Sequence, residues 1–565
     1  MPTPTEVPAE SPDVDHAFPR LGEEQIEALE QRGMRRRTHH GDILFREGDR
    51  LSDLFVILEG RIGIFVGYGN ETRLVAVHGK GRFLGELGTL SGQVVFATAV
   101  VQEPGEILVV PADCLKEVLT QDAALGDLIL RACLARRSAY LDAGVGFRII
   151  GSHYSADARR LREFAARNRL PHTWIDLEDD PDAEALLQLL GVTPEETPIV
   201  VWRGAVVMRN PSNVGLARLI GLPALPPKGL VADVVVVGAG PAGLAAAVYA
   251  ASEGLATVVV DAVAAGGQAS LSARIENYLG FPAGISGAEL AERAVIQATK
   301  FDASITIPAE VIGLRTDNGH HVLRLSDQGE FVSRTVVIAT GARYRRLELP
   351  QVDVFEGRYI HHAATPVEGR RCRGEPVAVV GGGNSAGQAS VFLAQHAAEV
   401  HLLIREDTLD TAMSRYLADR IRRIPNIEVH QHCEVRKLAG DHALEGVVVE
   451  DTHTGRRTTL NVAYLFVFIG VEPHVRWLAG AVALDDHGFI LTGAAALPGT
   501  PPAKGAGPTR MPLLLETSCA GVFAVGDVRS GSIKRVAAAV GEGSTSVRLI
   551  HEYLAGFTER HGGQR

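Results

Sequence analysis

The feature that most constrains the fold of this chain is a glycine-rich motif that occurs twice, each time between two apolar segments. The first copy reads VADVVVVGAGPAGLAAAVYAASEGLATVVVDA and contains Gly238, Gly240 and Gly243, with Asp261 at its end. The second reads PVAVVGGGNSAGQASVFLAQHAAEVHLLIRED and contains Gly381, Gly382 and Gly383. Such glycines let a strand-to-helix turn approach a pyrophosphate, and the terminal acid is placed to accept ribose hydroxyls. The sequence therefore predicts two nucleotide-binding α/β units in one chain.

Length and charge leave room for further domains and exclude some partners. The chain has 565 residues, and its net charge of −11 disfavours nucleic acid, which needs a concentrated basic face. Residues 1–20 are acidic and proline-rich and are predicted to be a disordered tail rather than a signal peptide. The apolar run 230–251 contains the first glycine motif, so it predicts a buried strand and helix rather than a membrane span. These features together predict a cytoplasmic protein without a membrane span.

Residues 21–145 contain short alternating strands followed by a helical stretch, which predicts a β-roll with a helical lid. The segments EGD (47–49), FVILEGRIGIF and GEL (85–87) resemble those of cyclic-nucleotide-binding domains. Apolar residues at helical spacing in 115–143 indicate packing on the β-roll or, alternatively, a contact between subunits: Val118, Leu125, Leu128, Ile129 and Ala132.

The ligand of this first domain is less certain than its fold. The resemblance implies an arginine after GEL that pairs with the cyclic phosphate, and Val95 or Phe96 occupies that position here. Glu86 could still accept a ribose hydroxyl. Cyclic nucleotide binding is therefore doubtful, and a degenerate module used for packing or dimer contact is the competing interpretation.

Residues 147–226 alternate strands and helices in an order that resembles the thioredoxin/glutaredoxin fold. In that family a CxxC motif opens the first helix, and a cis-proline lies beside it. Here Ser152 to Ser155 occupy the CxxC position, and Thr197-Pro198 occupy the proline position. Because serine cannot form a disulfide, we expect no disulfide chemistry in this domain.

Residues 230–565 resemble low-molecular-weight thioredoxin reductases along their whole length. The matching segments are GAGPAG, GGQ (266–268), IENYLGFP (275–282), ATGA, GGGNSA, GVFAVGD and KRVAAAVGEG (534–543). The resemblance implies two Rossmann-like three-layer domains, one for FAD (230–348 and 474–565) and one for NAD(P)H (349–473), in a homodimer. The segment 494–512 looks like an inserted, mobile loop.

The same resemblance implies the residues that contact each cofactor. For FAD they are Gly238, Gly240, Pro241, Ala242, Gly243, Asp261, Gly267, Gln268, Asn277, Val311, Ala339, Thr340, Gly341, Gly526, Asp527, Arg535 and Val536. Arg535 and Val536 should begin the helix that faces the flavin ring. For NAD(P)H they are Gly381, Gly383, Asn384, Ser385, Ala386, Arg405, Glu406 and Gly470.

The redox dithiol of that family is missing from this sequence. Counting back from Gly381 places its CxxC motif on Ala364, Thr365, Pro366 and Val367, and a register one residue earlier contains no cysteine either. Cys372 is nearby but has no partner within four residues, and we interpret it as a packed thiol. No catalytic residue and no metal site is predicted.

The choice between NADPH and NADH stays open. The family's NADPH pattern is a His-Arg-Arg run with a later arginine, whereas this chain has Ile404-Arg405-Glu406, with Asp410 at the later position and Arg415 nearby. Arg405 favours a 2′-phosphate, whereas Glu406 and Asp410 would repel it and could accept ribose hydroxyls.

Three functions compete. The first is an FAD-dependent NAD(P)H oxidoreductase with an unknown acceptor, such as a quinone, oxygen, an iron–sulfur protein or another flavin; ferredoxin–NADP reductases of thioredoxin-reductase type also lack the cysteine pair. Under this first hypothesis, the N-terminal domains regulate the activity or bind a partner protein. The second is a disulfide reductase acting on thiols of a partner, and the third is a non-enzymatic redox or nucleotide sensor.

Overall fold

The structure is a computed structural model that describes residues 9–14, 16–50, 53–67, 72–86, 94–142, 146–180, 182–204, 206–222, 231–327, 329–497 and 510–561. The chain divides into two compact units. The first comprises Met1–Pro227, Ala262–Ala264 and Thr299–Ala309, and the second comprises Lys228–Asp261, Ala265–Ala298 and Glu310–Arg565. Most of the predicted inserted loop (498–509) lies outside the described residues.

The first unit begins with a β-roll. Its strands are β1 (Met34–Thr38), β2 (Ile43–Phe45), β3 (Asp53–Val66), β4 (Arg73–His78), β5 (Phe83–Leu84) and β6 (Thr98–Pro111). They form an antiparallel sheet in the order β1-β6-β3-β4, in which β2 pairs with β6 and β5 with β3. The helices of this domain are α1 (Glu23–Glu30), α2 (Ala112–Gln121) and α3 (Ala123–Asp142). The predicted β-roll with a helical lid is confirmed.

The lid is divided at Asp122, which has an extended backbone and accepts the amide hydrogens of Ala124 and Leu125. This side chain therefore caps the start of α3 and ends α2. The apolar residues predicted to face a core or a dimer partner pack on the β-roll: Val118, Leu125, Ile129 and Ala132 are buried, and Leu128 lies against the same cluster. Packing on the β-roll therefore accounts for them without a second subunit.

The predicted disordered tail is wrong for the part that the structure describes. Ser11 donates its amide to Val77, Ala17 is buried, and Glu10 pairs with Arg82. The ring of Phe18 lies edge-on to His78 and under the Arg136 guanidinium. Polar and proline-rich composition therefore did not keep this segment off the β-roll, because an aromatic ring and an ion pair anchor it.

The rest of the first unit follows the predicted order of strands and helices. The elements are β7 (Phe147–Gly151), α4 (Ala156–Arg167), β8 (His172–Asp176), α5 (Ala183–Leu189), β9 (Ile199–Trp202), β10 (Val206–Arg209) and α6 (Asn213–Leu219). The sheet order is β10-β9-β7-β8, with β7 parallel to β8 and the other pairs antiparallel. The Thr197–Pro198 peptide bond is cis. A short strand, β13 (Ser304–Thr306), also lies among the residues assigned to this unit.

The second unit contains two sheets joined by a ribbon. The first sheet has the order β12-β11-β16-β15-β14, with β27 beside β16. Its strands are β11 (Val231–Val237), β12 (Thr257–Val260), β14 (Val311–Asp317), β15 (His320–Leu325), β16 (Glu330–Ile338) and β27 (Val522–Ala524). The ribbon consists of β17 (Ala342–Tyr344) and β26 (Val471–Pro473).

The second sheet is parallel, in the order β18-β25-β19-β20-β21, and a three-stranded antiparallel meander accompanies it. The strands are β18 (Ile360–His361), β19 (Pro376–Val380), β20 (Glu399–Leu403), β21 (Ile427–His430), β22 (Cys433–Ala439), β23 (Gly446–Asp451), β24 (Arg457–Leu460) and β25 (Tyr464–Val467). The helices of the unit are α7 (Pro241–Ser252), α8 (Gly287–Lys300), α9 (Val352–Phe355), α10 (Pro366–Arg371), α11 (Asn384–Leu393), α12 (Arg415–Ile421) and α13 (Val536–His561).

The apolar run 230–251 is the buried strand β11 followed by α7, as predicted. Across the described residues, no helix combines the length and apolar character that a membrane crossing requires.

Candidate functional site

The first glycine motif forms a tight turn between β11 and α7. Gly238 has φ +107°, and a Cβ atom there would lie 2.3 Å from the carbonyl oxygen of Ala339. Gly240 precedes the helix, whose first turn begins with Pro241 and has no side-chain cap. The first amide groups of α7 are therefore presented to a ligand, as an anionic pyrophosphate requires.

Asp261 follows β12 and holds this turn in place. Its Oδ2 accepts the amide hydrogen of Ala239 at 2.9 Å. A short loop approaches the turn from the other side, since a Cβ on Gly267 would lie 3.1 Å from the Cα of Gly240. Gln268 of that loop donates from its amide nitrogen to the carbonyl of Ala342. Gly267 has φ +55°, so glycine at this position permits the close approach of the two backbones.

The C-terminal segment brings a carboxylate to the same region. Asp527 lies in a short 3-10 turn after β27, and burial raises its pKa. Lys534 donates to the carbonyl oxygen of Asp527 at 2.6 Å. Gly526 and Gly543 both face Ala242 closely, so the turn and α13 pack against α7. As predicted, α13 begins at Val536, directly after Arg535.

The remaining predicted FAD contacts have different surroundings. Ala339, Thr340 and Gly341 follow β16, and the Thr340 hydroxyl donates to the carbonyl of His474. Val311 is buried at the start of β14, whereas Asn277 is exposed. The structure brings together the residues around the α7 N-terminus; whether Asn277 and Val311 contact a cofactor stays a prediction.

The second glycine motif repeats the geometry of the first between β19 and α11. Gly381 has φ +137°, and a Cβ there would lie 2.5 Å from the carbonyl oxygen of Phe468. Gly383 precedes α11 and has open space around its Cβ position. Asn384 accepts the amide hydrogen of Ser414, and Ser385 accepts the hydroxyl hydrogen of Tyr344 at 3.0 Å. Tyr344 was not among the predicted residues, because nothing local in the sequence relates it to Ser385.

The acidic residue after β20 lies directly against this turn. A Cβ on Gly382 would meet Glu406 Oε2 at 2.4 Å, and that buried oxygen has no hydrogen-bond partner among the residues that the structure describes. Arg405 is exposed. Asp410 accepts hydrogen bonds from Arg422, which lowers the pKa of Asp410. The Asp410 carboxylate is therefore already paired, whereas Glu406 Oε2 is not paired with any described residue.

The position predicted for a redox dithiol begins a helix. Thr365 caps α10, accepting the amide hydrogen of Val367, and Glu368 Oε2 accepts the amide hydrogen of Thr365. Ala364, just before the cap, is buried. The backbone thus retains a helix N-terminus, the setting that lowers a thiol pKa, without a thiol to use it.

All five cysteines lie among the described residues, and no disulfide joins any two of them. Cys372 is fully buried at the end of α10, where burial raises its pKa to about 11. Burial also raises the pKa of Cys433 and of Cys519. These three are protonated, packed thiols, as predicted for Cys372.

A cavity of about 50 Å³ lies in the β-roll, at the position where the sequence suggested a cyclic nucleotide. Glu86 Oε1 accepts a hydrogen bond from Arg136 Nη1 at 2.7 Å, and both side chains are almost fully buried. Burial, with the charges of Arg136 and Arg82, lowers the pKa of His78 well below its usual value. The other lining residues are mainly apolar: Phe45, Ile64, Leu84, Val94, Val95, Phe96 and Ala97.

Arg136 is a charged residue of this cavity that the sequence did not predict. Its lid helix lies far from GEL in the sequence, and no spacing rule connects the two segments. Its guanidinium donates to Glu86 from Nη1, and its buried Nη2 has no hydrogen-bond partner among the described residues. Residues 87–93, which follow Glu86 and lead to the predicted phosphate-binding position, lie outside the described part of the chain.

Ser152 to Ser155, which the sequence predicted to replace a CxxC motif, form a turn before α4. Ser155 caps the helix, and the Ser152 hydroxyl donates to Glu178 at 2.7 Å. His153 Nδ1 lies 2.9 Å from Asp176 Oδ2. The side chains of Ser152, His153 and Ser155 are therefore hydrogen-bonded to neighbouring carboxylates or to a backbone amide.

Two glycine turns, each followed by a helix without a side-chain cap, lie in one unit. This arrangement indicates an oxidoreductase that binds a pyridine nucleotide and a second nucleotide. The pyridine nucleotide-disulphide oxidoreductase family matches residues 232–543, and the cyclic nucleotide-binding domain family matches residues 35–122. The chain belongs to the pyridine nucleotide-disulphide oxidoreductase family, and it carries a cyclic nucleotide-binding domain ahead of that region.

Several relatives and solved structures show the same likeness. A 34.2 kDa protein in the rubredoxin operon of Clostridium pasteurianum is 31% identical, over 57% of this chain and 97% of that protein. The thioredoxin reductase of Treponema pallidum is 32% identical, with the same coverages of 57% and 97%. The crystal structure of Lactococcus lactis thioredoxin reductase has a TM-score of 0.51 at 26% identity, covering 57% of this chain and 99% of that chain. The sequence's prediction of FAD and a pyridine nucleotide is confirmed by this membership.

The residues present fit these cofactors. Both turns have glycines where a side chain would strike the backbone, both helices begin without a side-chain cap, and an acid follows the second strand of each fold. Such a cradle suits the pyrophosphate and ribose of a dinucleotide.

Proposed function

We propose that this chain is an FAD-dependent NAD(P)H oxidoreductase whose electrons leave for an acceptor outside the chain without passing through an internal dithiol. The observation that carries the proposal is the start of α10, where the family's redox cysteines would lie. Ala364, Thr365, Pro366 and Val367 occupy this position, and no disulfide joins any two of the five cysteines, all of which lie among the described residues. A disulfide relay needs two thiols that can reach each other, and burial keeps Cys372 protonated.

The chain's own residues bind and orient the two cofactors. The turn at Gly238, Gly240 and Gly243 binds the FAD pyrophosphate at the N-terminus of α7, and Asp261 accepts ribose hydrogen bonds. Asp527 would hold the ribityl chain of the FAD. When both cofactors are bound, they supply hydride transfer from nicotinamide C4 to flavin N5. Tyr344 and Ser385 form a hydrogen bond between the ribbon and α11 and thus help to fix the second nucleotide turn.

Anaerobic mixing with NAD(P)H tests the proposal. We expect the flavin absorbance band to bleach, and turnover to require an added acceptor such as a quinone or a ferricyanide-type oxidant. A protein that keeps tightly bound FAD but is not bleached by either nucleotide would instead be a redox or nucleotide sensor, and the proposal would fail.

A second candidate is reduction of a disulfide in a partner protein. The names of the relatives favour it, since several are thioredoxin reductases. Turnover of added thioredoxin or insulin by the purified chain alone would support this candidate over the first. We propose a homodimer in either case, and light scattering of the holoprotein tests that.

The domain between the β-roll and the second unit is proposed to be a thioredoxin-like domain without redox chemistry. The sheet order β10-β9-β7-β8 with one parallel pair, and the succession of strands and helices from β7 to α6, support this assignment. We propose the boundaries 21–145, 147–226, 230–348 with 474–565, and 349–473 for the four domains. With the β-roll, the thioredoxin-like domain would regulate activity or dock a partner.

Nicotinamide selectivity is predicted to depend on Glu406. Its carboxylate accepts ribose hydroxyls and repels a 2′-phosphate, whereas Arg405 attracts one. Replacing Glu406 by glutamine should raise the ratio of kcat/KM for NADPH to that for NADH by roughly tenfold, since removing one charge repulsion changes binding by about 1.4 kcal/mol. Arg405→Gln should shift the ratio in the opposite direction.

The matched control for this prediction is Asp407→Asn, because Asp407 is an exposed neighbour. Steady-state kinetics with both nucleotides measures the ratio. A Glu406→Gln ratio equal to that of wild type would show that the carboxylate does not face the 2′ position.

Cyclic nucleotides are predicted to bind weakly or not at all. The described cavity lining offers a guanidinium that Glu86 already neutralises, and breaking a buried ion pair costs about 3–5 kcal/mol. Isothermal titration of the full chain with cyclic AMP and cyclic GMP should show no binding at micromolar concentrations. Clear micromolar binding would overturn this and would assign the sensing role to the β-roll.

A further inference from the structure

Two histidines and a glutamate converge on one face of the second sheet, at its edge. Strands β20 and β21 are parallel neighbours, and their register places His401 opposite Glu428 and Leu403 opposite His430. Since side chains alternate along a strand, His401, Glu428 and His430 project from the same face. None of them belongs to the nucleotide turns, and the sequence predicts no metal there.

The three polar atoms form an almost equilateral triangle. His401 Nδ1 lies 3.1 Å from His430 Nε2 and 3.4 Å from Glu428 Oε2, and the last two atoms are 3.6 Å apart. Four ligands at about 2.0–2.2 Å from a tetrahedral zinc ion are separated from one another by roughly 3.4 Å. The three observed distances between ligand atoms, 3.1, 3.4 and 3.6 Å, are close to that separation without any rearrangement of the side chains.

A second carboxylate, that of Glu399, lies beside the other ring nitrogen of His401. Glu399 Oε2 lies 3.6 Å from His401 Nε2, the ring nitrogen that faces away from the triangle. A carboxylate beside the outer nitrogen is the common partner of a metal-binding histidine, because it fixes the tautomer that leaves the inner nitrogen with a lone pair. A hydrogen bond between the two histidines explains one edge of the triangle but not the approach of all three atoms.

We propose that His401, His430 and Glu428 bind a divalent transition metal ion, with zinc as the best match. Two imidazoles and one carboxylate suit zinc rather than magnesium or calcium, which prefer oxygen ligands. His401 is buried, whereas the side chain of Glu428 is 56% exposed, so solvent supplies the fourth ligand. The ion ties the edge strand β21 to β20, whose chain continues directly into Arg405 and Glu406.

The chain contains its own matched control. Asp407, His432 and His453 are also grouped within reach of a metal ion. The rings of His432 and His453, however, stack with centroids 3.8 Å apart and an interplanar angle of 23°. Lone pairs in two nearly parallel planes do not meet at one point, so this second group is expected not to bind zinc tightly.

The test uses the full holoprotein without a histidine tag, stripped by chelator and then titrated with zinc against a chromophoric indicator. Elemental analysis should give about one zinc per chain. His430→Gln and His401→Gln should each weaken zinc binding by roughly 100-fold, and Glu399→Gln by about 10–100-fold. Cobalt substitution should give visible absorption at wavelengths beyond the flavin band, and His430→Gln should abolish it.

His432→Gln and His453→Gln should leave zinc affinity and the cobalt spectrum unchanged. The proposal fails if wild type binds no zinc, or if the His401 and His430 variants bind it as wild type does. Circular dichroism and FAD content of each variant separate loss of the ligand from loss of the fold.

Discussion

Replacing Gly238 by alanine is expected to remove FAD from the protein. The residue has φ +107°, and its Cβ would lie 2.3 Å from the carbonyl oxygen of Ala339. The left-handed backbone costs alanine about 1–3 kcal/mol, and the contact adds about 1–3 kcal/mol because the neighbour is backbone and not a movable side chain. At 1.4 kcal/mol per tenfold change, FAD affinity should fall by roughly 30-fold or more. The ratio of flavin absorbance to protein absorbance after gel filtration measures it.

Gly254→Ala is the matched control for this substitution. Gly254 follows α7 with φ +83°, but no atom lies within 4 Å of its Cβ position. It therefore introduces a comparable backbone strain without the contact, and its FAD content should stay close to that of wild type. Equal FAD loss in both variants would show that general destabilisation, rather than closure of the turn, expels the cofactor.

Anaerobic reductive titration is expected to consume about one equivalent of NAD(P)H per bound FAD, because the flavin is the only two-electron group that the proposal assigns. A flavoprotein with a linked dithiol would take up about two equivalents, since its disulfide accepts a further pair of electrons. Added thioredoxin should not be turned over. With an artificial acceptor, Cys372→Ala should retain wild-type kcat/KM within about twofold, since a thiol with a pKa about three units above the assay pH is roughly 0.1% thiolate.

Uptake of a second equivalent would contradict this prediction. Cys372→Ala and Cys519→Ala then identify the thiol concerned, because a redox cysteine loses that equivalent when it is replaced. Loss of the second equivalent in one of these variants, together with loss of thioredoxin turnover, would make this chain a disulfide reductase in the sense of its relatives.

The local motifs of this chain could be read from the sequence because each is built from neighbouring residues. Both glycine turns, the acids that follow β12 and β20, and the start of α13 at Val536 lie where the sequence predicted them. The seven elements from β7 to α6 were also predicted in the correct order. The periodicity of apolar residues and the conformational preferences of turn residues act over a few positions. These features therefore need no tertiary information.

The sequence failed where a long-range contact decided the outcome. The described part of residues 1–20 is ordered by Phe18, which contacts His78 and Arg136. Composition alone predicted disorder, because it cannot register one aromatic ring that meets a distant guanidinium. The sequence offered both Asp410 and Glu406 as ribose acceptors, and it did not reveal that the Asp410 carboxylate pairs with Arg422.

The sequence by itself determined that this chain has two nucleotide turns and no cysteine pair at α10, because glycine, proline and cysteine impose their chemistry on the residues next to them. Only the tertiary structure decided that Arg136 neutralises Glu86, that Tyr344 reaches Ser385, and that two histidines of neighbouring strands meet a glutamate. The physical reason is distance along the chain: each of these pairs joins elements whose register and packing the folded core sets, and no local pattern encodes that meeting.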